Sequence, residues 1–141
     1  MTEQNTYLFV YGTLMKDTNH SMAQLLTKHS EFICRASMQG QLYLIDYYPG
    51  AILSESKDDI VYGELYKLSN ASWVLSQLDD YEECSSSFPE PHEYQRQLIT
   101  IQTHAADFSL TLAWAYLYQY PLNNKPRIKN GQFEVRYTDT K

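Results

Sequence analysis

Apolar and polar positions along this chain fall into short blocks with two periods, and the blocks predict more strands than helices. The first, Tyr7-Leu8-Phe9-Val10-Tyr11, is an aromatic and β-branched run that stops at Gly12, the mark of a buried strand running into a turn. Met22, Leu25 and Leu26 then share one helical face, and Asn19 or Ser21 can cap that short helix. A strand-like pattern follows from Phe32 to Asp46, with a bulge or bend expected at Gly40 and a turn at Pro49-Gly50. From Ile60 to Leu68, the set Ile60, Tyr62, Glu64, Tyr66 alternates with Val61, Gly63, Leu65, Lys67, which is the two-residue period of a strand.

Ser69 stands where an N-cap would open the next segment, from about Asn70 to Glu82, which lacks Gly and Pro and is the best helix in the chain. Two long strands, Tyr94 to Thr103 and Leu110 to Tyr118, are joined by a polar connection and are expected to be sheet neighbours. Ser85 to Pro91 is the one obvious long loop. Beyond Pro121 the chain reads as irregular, except for Phe133 to Tyr137. Strands outnumber helices without strict βαβ alternation, so the pattern predicts an α+β fold on a mostly antiparallel, barrel-like sheet.

Length and charge narrow the function. The 141 residues suit a single domain, long enough to bury roughly 68–70% of its unfolded surface. Eleven Lys and Arg against 17 Asp and Glu leave a net charge of −6, the wrong sign for a nucleic-acid or anionic-membrane partner. Two distant cysteines, Cys34 and Cys84, form no zinc or redox motif and fit reduced thiols of a cytoplasmic protein. No apolar run approaches the ~18 residues of a membrane span. Four histidines show no ligand spacing, so no metal site is expected, and neither a GxSxG elbow nor a phosphate-binding loop is present. Conventional nucleophiles are scarce, while tyrosines number 13.

Two features can carry chemistry. On a wheel of about 100° per residue, Val74, Leu75, Leu78 and Tyr81 make an apolar sector, and Glu82 projects into it, ~20° from Leu75. Asp79 sits at its edge; Asp80 and Glu83 fall outside. A carboxylate drawn into apolar surroundings has a raised pKa suited to proton transfer near neutrality. The other reading is a residue at a frayed helix end that pairs with Arg96 or caps a backbone amide. The turn at Tyr11-Gly12-Thr13-Leu14 is the second feature: a glycine after a buried strand can wrap backbone N–H groups around an anion, or can simply turn the chain.

Tyr7 to Leu14 resembles the amino-terminal signature of the gamma-glutamylcyclotransferase-like, or AIG2-like, family. Tyr48-Pro49-Gly50-Ala51, Val61 to Tyr66, Leu78-Asp79-Asp80-Tyr81-Glu82, Tyr94-Gln95-Arg96 and Ala113 to Tyr118 agree with it in order, the helix motif being most similar to the gamma-glutamylamine enzymes. The resemblance covers Tyr7 to about Tyr118 and implies a small mixed, mostly antiparallel β-barrel with flanking helices. It implies that Tyr11, Gly12, Thr13 and Leu14 hold the glutamyl group of a small gamma-glutamyl substrate. Glu82 is then the acid/base that closes 5-oxoproline and releases an amine, with no metal or organic cofactor. The loop Ser85 to Glu93 is longer than in those enzymes and is expected to reshape the leaving-group side of the pocket. Two other classes stay open: a non-catalytic metabolite-binding module using the same pocket, and a thiol amidohydrolase using Cys84.

Overall fold

The computed structural model describes residues 6–12 and 21–133, with the side chains of Ser21 and Met22 outside the description. In chain order the elements are β1 (Tyr7–Val10), α1 (Ser21–Lys28), β2 (Ser30–Leu44), β3 (Pro49–Leu53), β4 (Ile60–Leu68), α2 (Ala71–Tyr81), β5 (Tyr94–Thr103) and β6 (Leu110–Tyr118). The strands run β3-β2-β4-β1-β6-β5, and a short β2–β5 pairing at Ala36 and Ser37 closes five of them into a barrel with β3 extending β2. Every pairing is antiparallel except β1 with β6, so the sheet is mixed.

β1 explains why its sequence is continuously apolar. It lies between β4 and β6 and is covered on both faces, with Leu8, Phe9 and Val10 all buried. Phe9 and Tyr11 point into the barrel with Val61, Leu65, Ala113, Ala115 and Leu117. Leu8 and Val10 point outward into a second core with Leu26 of α1 and Val74, Leu75 and Leu78 of α2. These two cores on opposite faces of one sheet account for the alternation read along β4 and for the nearly continuous apolar run of β6.

Several boundaries differ from the sequence expectation. The irregularity in β2 lies between Phe32 and Cys34, not at Gly40. Gly40 instead marks where β2 changes partner from β4 to β3, and a Cβ there would come 2.4 Å from the Ile52 carbonyl oxygen. Pro49-Gly50 opens β3 rather than forming a turn; the bend is at Asp46–Tyr48. The N-cap of α2 is Asn70, in the left-handed region at φ 52° and without a side-chain cap, while the Ser69 hydroxyl donates to the His29 carbonyl. Tyr81 is 37% exposed and leaves the apolar sector, which ends at Leu78. Asn19 and the stretch from Glu134 to Tyr137 lie outside the described residues.

The segment after β6 is irregular in trace but built into the fold. Ile128 N–H donates to Leu42 O, Leu44 N–H to Pro126 O, and Tyr62 N–H to Gly131 O. Ile128 and Phe133 are buried in the barrel core. Arg127 pairs with Asp59 at 2.8 Å. Among the described residues no helix is long and apolar enough to cross a membrane.

Candidate active site

Glu82 is the C-cap of α2, the first residue past the last helical turn, and its N–H still bonds to the Leu78 carbonyl at 2.8 Å. That bond fixes the backbone from which the side chain departs. The carboxylate lines a cavity of about 390 Å³ that also takes in Phe9, Val10, Tyr11 and Gly12 from the end of β1. This volume is within the range of small-ligand sites. Burial, reinforced by the nearby charges of Glu93 and Glu83, pushes the Glu82 carboxyl up to about 7. Among the described residues no Arg or Lys forms an ion pair with it, and Arg96 is engaged by Asp79 instead.

Asp79 is one turn before Glu82 and is half-buried. Arg96 of β5 grips it through Nε at 2.8 Å and a second guanidinium nitrogen at 3.1 Å, and the Tyr116 hydroxyl of β6 donates to the same carboxylate at 2.7 Å. The guanidinium lies 4.4 Å above the Trp114 ring. β5 and β6 pair Arg96 with Tyr116 and Leu98 with Trp114, so one sheet face supplies all three groups. The last turn of α2 is thereby tied to two strands, which sets the position of Glu82.

The β1 end is fixed by Tyr11. Its hydroxyl donates to the Tyr116 carbonyl at 2.5 Å and accepts from the Ala51 N–H at 3.1 Å, tying the strand end to β6 and β3. Burial first of all holds this phenol protonated. Gly12 follows against Pro49, where a Cβ would come 2.8 Å from Pro49 Cγ. A side chain does not fit there. Tyr94 donates to the Pro49 carbonyl at 2.6 Å and braces the same corner.

Of the residues singled out in the sequence, Tyr11, Gly12 and Glu82 therefore share one cavity, while Thr13 and Leu14 lie outside the described residues. Glu83, read as a solvated charge, also lines it. Sequence reasoning missed Tyr47, Tyr48, Glu93, Tyr94 and Tyr116, which complete the wall. Tyr48, Tyr94 and Tyr116 did stand within the landmarks that carry the family resemblance, and Tyr48 beside a bend and Tyr94 at a strand start are positions where a phenol packs its ring and offers its hydroxyl to a wet edge. Cys84 is not part of the lining; burial and then Asp79 push its thiol up to about 11, so at neutral pH it is not a thiolate. A second, shallower cavity of about 470 Å³ near Met38, Leu53 and Ile99 has a single carboxylate, Glu55, and no such convergence. Among the described residues no three His, Cys, Asp or Glu side chains are grouped to hold a metal.

Residues 8–135 match the family model described as "Gamma-glutamyl cyclotransferase, AIG2-like". The chain is 34% identical over 130 residues to the gamma-glutamylcyclotransferase family protein YtfP of Escherichia coli K12, covering 89% of this chain and 94% of that one. The solution structure of YtfP from Escherichia coli superposes with a TM-score of 0.60 at 30% identity, over 93% of this chain and 98% of that chain. An AIG2-like protein from Mus musculus gives a TM-score of 0.72 at 22% identity, over 94% and 90% of the two chains, a likeness of fold. YkqA from Bacillus subtilis likewise shares the fold, with a TM-score of 0.68 at 24% identity; 92% of this chain spans 40% of that one.

Proposed function

The chain belongs to the gamma-glutamyl cyclotransferase, AIG2-like family, and we propose that it is itself a cyclotransferase converting a small gamma-glutamyl amine, amide or peptide to 5-oxoproline. One observation carries the reading: a carboxyl pushed up to about 7 shares one cavity with Tyr11 and Gly12 at the end of β1. Such a pair suits a substrate that brings its own nucleophile.

The substrate's α-ammonium gives a proton to the Glu82 carboxylate, and the freed amine attacks the γ-carbonyl carbon. A C–N bond forms and closes the five-membered ring, leaving negative charge on the carbonyl oxygen. Collapse breaks the original amide C–N bond, and the protonated Glu82 delivers to the departing nitrogen. Of the three ammonium protons, one stays on the lactam and two end on the released amine, so Glu82 returns to its starting state. A group near pKa 7 takes and gives protons with comparable ease at neutral pH.

In this reading the backbone N–H of Gly12 takes the substrate carboxylate or the developing oxyanion. The Tyr11 and Tyr94 hydrogen bonds keep that corner rigid. Bending a flexible gamma-glutamyl chain into ring-closing geometry supplies the rest, since oriented intramolecular reactions reach effective molarities of about 10⁵–10⁸ M. Nothing in this scheme asks for Cys84.

Incubation with gamma-glutamyl amino acids, gamma-glutamyl-ε-lysine and simple gamma-glutamyl amines, with 5-oxoproline read by mass spectrometry, tests the proposal. Turnover of at least one class, lost in Glu82→Gln, is the expected result. Ligand-induced stabilisation without product, or full turnover by Glu82→Gln, overturns it in favour of a binding module or a different catalyst.

A further inference from the structure

The cavity holds a second carboxylate that ring closure does not use. Glu93 precedes β5 by one residue, at the end of the long loop, and is half-buried. Its Oε2 accepts from the Tyr48 hydroxyl at 2.5 Å, and it makes no ion pair among the described residues. An ionised carboxylate has about four acceptor sites, and Tyr48 fills one. The described lining carries three carboxylates, Glu82, Glu83 and Glu93, and no Lys, Arg or His.

Aromatic rings surround the same place. Tyr47, 65% exposed, packs edge-on against Tyr48 with ring centres 5.1 Å apart, and Tyr48 packs against Tyr94 at 6.3 Å. Tyr47, Tyr48, Tyr81 and Tyr94 all border the cavity. An acidic wall attracts a cation by charge, and the tyrosine rings that border it add their quadrupoles wherever a cation meets a ring face. It repels a carboxylate. The proposed mechanism gives the glutamyl half of a substrate, with its own carboxylate, to the Gly12 end of the cavity, so the acidic wall is left for the departing amine.

Resting on the cyclotransferase reading of this cavity, we infer that Glu93, held by Tyr48, selects gamma-glutamyl compounds whose departing amine carries a second positive charge, as in a diamine. A leaving group that ends in a carboxylate is disfavoured by the same wall.

Three compounds of matched length test this: gamma-glutamyl-cadaverine with an ammonium end, gamma-glutamyl-hexylamine with a methyl end, and gamma-glutamyl-aminohexanoate with a carboxylate end. In the wild type, kcat/KM should fall in that order, by about tenfold at each step. Glu93→Gln should bring the ammonium-to-methyl ratio close to one, and Tyr48→Phe should lower it part of the way. Equal rates for the three compounds, or a ratio that survives Glu93→Gln, overturns the inference. Added salt should lower the same ratio in the wild type, which decides the matter if the Glu93 variant does not fold; no salt response overturns it. If none of the three is cyclised, the cyclotransferase reading fails by itself for this substrate class. Calorimetric affinities of the intact compounds then carry the test, with the same order expected and equal or undetectable binding overturning it.

Discussion

Asp79 and Arg96 form a two-point ion pair one turn ahead of Glu82, and the pair joins α2 to the β5–β6 hairpin at the point where the helix ends. Tyr116 adds a third bond to the same carboxylate while lining the cavity, so helix position and cavity wall depend on one group. Both partners are about four-fifths shielded from solvent, which lifts the pair above an ordinary surface contact.

Asp79→Asn should therefore act at a distance from the chemistry. Losing the charge weakens two bonds from Arg96, at a cost of about 1.5–3 kcal/mol measured by denaturant unfolding. Under the proposed mechanism kcat should fall more than KM rises, because a small displacement of Glu82 spoils proton transfer before it spoils binding. An equal loss in both parameters would mean that Asp79 serves the fold alone.

The pH profile should report Glu82. Its ionised form takes the ammonium proton, so kcat/KM should rise with pH through about 7. Charges facing this carboxyl come from Glu83 beside it and Glu93 across the cavity, and each raises it. Removing one in Glu93→Gln should move the rising limb to lower pH. Burial is the larger cause, so the limb should stay above the ordinary carboxylate range. A limb near 4.5, or one that Glu93→Gln moves upward, would contradict this assignment.

Stability should carry the opposite sign from activity. A carboxyl raised from 4.5 to about 7 keeps its proton in the folded state over a range where the unfolded chain has released it. Folding is then most favoured below about 4.5 and loses stability as pH rises toward 7, by about 3 kcal/mol at most. Glu82→Gln removes that loss. The variant should be more stable than wild type at pH 8, and its advantage should shrink at pH 5 as measured by chemical unfolding at each pH.

Gly12→Ala probes the other side of the cavity. The added methyl would sit 2.8 Å from Pro49 Cγ, so either β3 or the turn must shift. Overpacking of this kind costs about 1–3 kcal/mol. The signature expected beyond stability is a rise in KM, because the turn proposed to hold the glutamyl carboxylate is displaced while Glu82 is not. An Ala variant with wild-type KM would show that the turn does not contact substrate.

Parts of this fold were legible because the signal is local. β4, β5 and β6 have the boundaries expected from sequence: β4 shows a clear two-residue alternation, and β5 and β6 are long strand-forming runs on either side of a polar connection. β3 was hidden by its own first two residues, Pro49 and Gly50, which read as a turn in isolation and as an edge strand only once β2 lies beside them. The β1–β6 pairing joins residues far apart in the chain, and no local pattern announces it. The site divides the same way. Gly12 and Glu82 show themselves by strand-end and helix-wheel position, whereas Tyr48, Glu93 and Tyr116 become neighbours only through the barrel.

The segment after β6 illustrates how irregular sequence can still be core, and Ile128→Ala gives the last test. Its side chain is 8% exposed and packs inside the barrel, while its N–H is bonded to Leu42 O. Removing the buried atoms should cost about 2–5 kcal/mol, the lower end applying if Phe133 closes over the gap. The barrel interior contacts the cavity through Phe9 and Tyr11, which belong to the same cluster, so a softened core should reach the β1 end. It should not reach Glu82, which leaves from α2 on the outer face. Activity at low temperature should therefore keep its pH limb near 7 while the melting temperature falls; a limb displaced along with stability would mean that the two cores are not separable in the way their packing indicates.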